Sequence, residues 1–122
     1  MFSVYKILTG ESLPLEYYAM ISVQEVPALG EALKSSNGAL TKASGADSAE
    51  FICAGGKLSD GRYPVLRLRS DIEFFTETVL AQAGIGSKVQ LSTDGLGITE
   101  TTGGCFKVTN KSAKGTYGIF TA

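Results

Sequence analysis

Turn dipeptides divide this chain into short pieces, and that punctuation admits few folds. Asn37-Gly38, Asp60-Gly61 and Asp94-Gly95 each sit between short apolar or alternating runs. Such pairs tolerate the positive φ of tight hairpin turns, so they read as corners between antiparallel strands. Fifteen glycines carry the same signal through the whole sequence. The strands predicted between them are Phe2–Leu8, Leu13–Val23, Ala32–Ser36, Leu40–Ala43, Glu50–Ala54, Tyr63–Ser70, Asp71–Val79, Lys88–Ser92, Ile98–Thr101, Cys105–Asn110 and Thr116–Thr121. Helical signals are weak. Val26, Leu29 and Leu33 have helical spacing, but Pro27 and Gly30 interrupt them, and Val79–Ile85 offers one turn at most. The expectation is a mainly β chain, folded as a small antiparallel barrel or sandwich.

The 122 residues suit a single domain over 1–122, because a second core would be starved of apolar side chains. Hydrophobic residues at 43% against 19% charged ones describe a globular chain with enough apolar surface to fold.

An internal echo runs through residues 30–68 and 86–122. Gly30-Glu31-Ala32-Leu33, Asn37-Gly38 and Leu40-Thr41-Lys42-Ala43-Ser44-Gly45 parallel Gly86-Ser87-Lys88-Val89, Asp94-Gly95 and Ile98-Thr99-Glu100-Thr101-Thr102-Gly103. Each half then enters an apolar strand, Phe51-Ile52-Cys53 or Phe106-Lys107-Val108, and closes on Gly-x-Tyr, at Gly61 to Tyr63 and Gly115 to Tyr117. Duplication of one unit and convergence on common hairpin chemistry account for the echo equally well. Both readings give two similar hairpin-rich units sharing one core.

The longest alternating stretch is Pro64 to Val79. Leu66, Leu68, Ser70, Ile72, Phe74 and Thr76 share one parity, and Arg67, Arg69, Asp71, Glu73, Phe75 and Glu77 share the other. Period two sends the first set toward a core and the second toward solvent or a partner. The second set is therefore the candidate protein-interaction face, arginines leading, acids following, with Phe75 as an aromatic anchor. The bland reading is that these charges pair within their own sheet and that Val79–Ile85 covers Phe75.

The chain contains no histidine, which removes the commonest general base and metal ligand near neutral pH. Ser–His–Asp and Cys–His nucleophilic sites are excluded with it. Cys53 and Cys105 lack the paired spacing of a zinc site and sit in apolar runs, where a thiol behaves as a small hydrophobe. No metal, cofactor or catalytic residue is expected. Gly55-Gly56-Lys57 resembles the end of a phosphate-binding loop, but Leu58 stands where the metal-binding hydroxyl belongs. Ser3 and Lys6 have an acyl-transfer spacing that a strand sends to opposite faces. Asp71, Glu73 and Glu77 resemble a glycosidase pair less than a solvated, aggregation-resistant stripe. Tyr17, Tyr18, Tyr63 and Tyr117 suggest a sugar-stacking platform, yet read better as rim positions with hydrogen-bonded hydroxyls.

Eleven basic against twelve acidic side chains leave no electrostatic footprint for nucleic acid. No apolar run reaches membrane-spanning length, and Lys6 interrupts the N-terminal run before a signal-peptide core develops. The expected location is the cytoplasm, where a disulfide between the two cysteines is disfavoured.

Three stretches carry a family resemblance. They are Leu13-Pro14-Leu15-Glu16-Tyr17; Pro64-Val65-Leu66-Arg67-Leu68 with Asp71-Ile72-Glu73-Phe74; and Gly86-Ser87-Lys88-Val89-Gln90-Leu91-Ser92-Thr93-Asp94-Gly95 with Ile98-Thr99-Glu100-Thr101-Thr102-Gly103. In these the chain resembles small prophage-encoded head proteins that decorate or stabilise phage capsids. It departs from them at its end, Tyr117-Gly118-Ile119-Phe120-Thr121-Ala122, which lacks a basic terminal strand. The resemblance implies a β barrel or sandwich without enzymatic activity. It further implies binding to a lattice of major capsid protein at sites of local symmetry, a homo-oligomer such as a trimer, and a place in the virion if the prophage is active. A small-ligand or carbohydrate-binding β module is the alternative reading of the same residues. An exposed aromatic row or a concave pocket would favour it, and a flat apolar patch would favour the lattice.

Overall fold

A computed structural model of the chain describes residues 1–8, the strand backbone of 15–18, and 25–121. Eleven strands make up all of its regular structure, with no helix among the described residues: β1 (Ser3–Ile7), β2 (Leu15–Tyr18), β3 (Ala32–Ser36), β4 (Ala39–Lys42), β5 (Phe51–Cys53), β6 (Tyr63–Arg67), β7 (Ile72–Thr76), β8 (Lys88–Leu91), β9 (Ile98–Thr102), β10 (Phe106–Ser112) and β11 (Gly115–Phe120). They form two antiparallel sheets, a large one ordered β1-β7-β11-β10-β8-β9 and a small one ordered β2-β6-β5-β3-β4. The sheets are not closed on each other, so the architecture is a sandwich and not a barrel. Of the expected strand Leu13–Val23, only β2 falls within the described residues.

The turn chemistry acts as read. Asn37 and Gly38 both adopt positive φ, 51° and 80°, and close the β3–β4 hairpin between paired Ser36 and Ala39. Such a two-residue turn matches the right-handed twist of its strands.

The echo in sequence corresponds to one strand order used twice. In the small sheet the four strands from β3 to β6 lie as β6-β5-β3-β4, and in the large sheet those from β8 to β11 lie as β11-β10-β8-β9. The two units meet at a corner. Gly45, just after β4, bridges Leu91 at the end of β8 through hydrogen bonds of 3.1 and 2.9 Å, and Ala32 N–H donates to the Gly95 carbonyl at 2.8 Å.

Between the sheets lies the main core. Phe2, Phe74, Phe106 and Phe120 are all buried, with ring centroids 5.1 to 5.6 Å apart in tilted and edge-on contacts. The small sheet supplies Ala32, Ala43, Ile52 and Leu66 to the same cluster. A second cluster of Leu33, Leu40, Phe51, Cys53, Tyr63 and Val65 is made by the intervening side chains of these strands, on the sheet's opposite face. Burial on both faces explains why β5 reads as an unbroken apolar run. The two cysteines are free, Cys53 in the second cluster and Cys105 in the main core. Burial pushes both thiols up from their ordinary pKa, keeping them protonated.

The alternating stretch from Pro64 to Val79 is two strands, as the predicted Tyr63–Ser70 and Asp71–Val79 require. It contributes β6 to the small sheet and β7 to the large one, with residues 68–71 crossing between them. Leu66, Ile72, Phe74 and Thr76 face the core as their parity predicts, whereas Ser70 is exposed in the crossing. Val65 and Glu73 follow the opposite parity onto the other faces of their sheets, yet both are buried there, at 0% and 8% exposure.

Candidate functional site

Most of the outward set read from sequence disperses along the chain. Arg67 ends β6 in the small sheet, its guanidinium 5.0 Å from the Phe51 ring centroid. Arg69 and Asp71 face each other within the crossing, Nε to Oδ1 at 3.0 Å. Glu77 lies beyond β7 and binds the N-terminal ammonium of Met1 at 2.8 Å. Arg69 and Asp71 thus remain paired in the crossing, while Glu73 and Phe75 share the outer face of the large sheet. Phe75 packs against Tyr117 of β11, with ring centroids 5.0 Å apart.

Around these two residues the outer face is recessed, and two β-bulges create the recess. On β1, Val4 pairs with Phe74 and Lys6 with Glu73, which leaves Tyr5 as the extra residue. On β10, Val108 pairs with Gly118 and Asn110 with Tyr117, which leaves Thr109. A bulge puts two consecutive side chains where one belongs, and such irregularities recur where a side chain must be re-aimed. Here they add Tyr5 and Thr109 to a cleft of about 440 Å³ that is also lined by Lys6, Glu73, Lys111 and Tyr117. Tyr5 meets Tyr117 edge-on at 4.6 Å, so Tyr5, Tyr117 and Phe75 form an aromatic row across three strands. The hydroxyl of Thr109 donates a short hydrogen bond to Glu73, whose other oxygen lies 3.9 Å from the Lys6 ammonium. These partners let a carboxylate lie buried without an unmet charge. Sequence reasoning missed Tyr5, Lys6, Thr109 and Lys111. The one available signal was the lapse of apolar alternation after Val108.

No family model, no curated protein and no solved structure matches the chain. Among the described residues no group of Cys, Asp or Glu side chains is arranged to hold a metal ion.

Beside the recess, the connection from β7 to β8 is held rigidly although it carries no regular structure. Glu100 on β9 accepts hydrogen bonds from the N–H groups of Ala81, Gln82 and Ala83 at 2.5, 3.2 and 2.8 Å. Lys111 donates its ammonium to the Ala83 carbonyl at 2.7 Å. Thus pinned, the loop presents Val79 and Ile85 to solvent at 56% and 68% exposure. The Ala83 N–H, with those of Ala81 and Gln82, holds the Glu100 carboxyl below its ordinary pKa. A depressed carboxylate pKa gives stability that is complete above the unfolded value and is lost as pH falls through the folded one. Glu100→Gln should therefore raise the amide-exchange rates of Ala81, Gln82 and Ala83 at neutral pH. The wild-type loop should lose its added protection, relative to the variant, only below the usual carboxylate range. Unchanged protection in the variant would show that the carboxylate does not hold the loop.

Proposed function

We propose that this chain is a non-enzymatic structural protein of a phage or prophage head, which binds a capsid lattice and stabilises it across neighbouring subunits. The rigid apolar loop between β7 and β8 carries this reading. Val79 and Ile85 stand in solvent on a segment whose backbone is already tied down by Glu100 and Lys111. Ordering a loop on binding costs affinity, and a loop ordered beforehand avoids that cost. The loop also joins two of the stretches that resemble head proteins, the one ending in β7 and the one forming the β8–β9 hairpin. Weak individual contacts suffice on a lattice, because many identical sites act together.

The test is to identify the genes flanking this one and, where one encodes a major capsid protein, to co-sediment the chain with its assembled shells. Saturable binding at a fixed ratio is expected. Ile85→Glu should weaken it by about tenfold or more, as for an interface anchor, while leaving thermal unfolding nearly unchanged. No binding of the wild-type chain, or equal binding by the variant, would overturn the assignment of this loop to the shell.

A further inference from the structure

The recess on the outer face of the large sheet has a chemistry that shell docking does not use. Its wall is aromatic: Tyr5 is 56% exposed and leans on Tyr117, with Phe75 behind. Its floor is polar and fixed. The Glu73 carboxylate, 8% exposed as a residue, is held by the Thr109 hydroxyl and faces the Lys6 ammonium. A carboxylate offers about four lone-pair directions, and the Thr109 hydroxyl takes one, the Lys6 ammonium at 3.9 Å being beyond hydrogen-bond reach. Asn110 adds an amide at the rim.

We propose that this recess binds a hexopyranose unit of a glycan. A pyranose ring has an apolar C–H face suited to an exposed tyrosine, and a rim of vicinal hydroxyls that donate to a carboxylate and accept from an ammonium. The recess supplies both surfaces side by side. Its volume of about 440 Å³ lies within the range of small-molecule sites and exceeds the needs of a single sugar, leaving room for a linked neighbour. A phosphate-bearing ligand fits poorly, since the buried carboxylate would face its charge and the Lys111 ammonium is already engaged by the Ala83 carbonyl at 2.7 Å. A flat protein partner fits poorly as well, because the Glu73 carboxylate lies buried beneath the exposed Lys6 side chain. The two bulges supply the strongest support. Each adds one side chain, Tyr5 or Thr109, to this same recess, and a regular pairing of β1 with β7 or of β10 with β11 would leave that residue out.

The inference does not depend on shell binding, and its test separates the two. The wild-type chain is titrated, with amide resonances followed by NMR, against glucose, galactose, mannose, N-acetylglucosamine, maltotriose, cellotriose and chitotriose. At least one sugar should give saturable shifts centred on Tyr5, Lys6, Glu73, Thr109 and Tyr117. Tyr5→Ala should weaken that sugar about tenfold, equivalent to about 1.4 kcal/mol, and Tyr5→Trp should restore it. Glu73→Gln should weaken it as well, and none of the three variants should alter co-sedimentation with shells. The proposal is overturned if no sugar of the panel produces saturable shifts at these residues. It is overturned equally if Tyr5→Ala binds as tightly as the wild type.

Discussion

Phe106→Ala should destabilise the chain by about 3–5 kcal/mol, the range for emptying a fully buried aromatic site. Phe106 is 0% exposed and packs against both Phe2 and Phe120, at 5.6 and 5.2 Å between ring centroids. It also stands where β10 is paired on both sides, opposite Val89 of β8 and Phe120 of β11. The residue therefore joins strands within the large sheet and fills the space between the sheets. Against a total stability of about 5–15 kcal/mol for a domain, this loss takes a large share. Urea denaturation should show a much lower midpoint with an unchanged slope. Phe106→Leu should recover most of the difference. A loss below about 1 kcal/mol in the alanine variant would mean that the aromatic cluster is not the packed centre of the domain.

Gly104→Ala should be damaging for the opposite reason, since it adds an atom where there is no space. The chain leaves β9 on one side of β8 and must reach β10 on the other, so residues 103–105 pass directly over the β8 backbone. A Cβ on Gly104 would lie 2.0 Å from the Val89 carbonyl oxygen and 2.4 Å from Gln90 Cα. Both are backbone atoms of a strand paired on each side, so neither can move without breaking the ladder. The expected cost is at or above the usual ceiling for overpacking, about 3 kcal/mol, which corresponds to about 10–15 °C in melting temperature. Thermal unfolding followed by circular dichroism measures it. Alanine at exposed Gly56, where an added Cβ meets nothing within 4 Å, is the matched control and should be nearly neutral. Equal melting of the two variants would refute the close crossing over β8.

These residues also show what was legible beforehand. Strand positions were readable because turn chemistry is local, and Asn37-Gly38 bends the chain wherever it occurs. The shared order of the two units was foreshadowed because the same turn and strand signals recur in the same sequence. Sheet membership was not readable between Leu68 and Asp71. The period-two pattern of Leu66, Leu68, Ile72 and Phe74 stays in phase across the crossing, broken only at Ser70, and no glycine or proline marks the change of sheet. The period-two parity placed Glu73 on the outer face, toward solvent or a partner, but did not show that it is buried there. Its burial depends on Thr109 and Lys6, which are distant in sequence and brought close only by the pairing of other strands. The recess was hidden for a related reason. A bulge at Tyr5 or Thr109 is a property of the partner strand's register, which neither residue announces.

The order of strands along the chain gives the two sheets different histories during synthesis. Every strand of the small sheet lies between Leu15 and Arg67, whereas the large sheet takes β1 from the beginning and the rest from Ile72 onward. The small sheet can thus pair its strands on the ribosome while the phenylalanines that will cover it, Phe74, Phe106 and Phe120, are still unmade. For that interval it offers its inner face of Ala32, Ala43, Ile52 and Leu66 to whatever is nearby. Two of those four are alanines, so the waiting surface is less adhesive than the finished core would suggest. Apart from Phe2, the bulky aromatic half of the interface arrives last, when its partner is already in place to receive it.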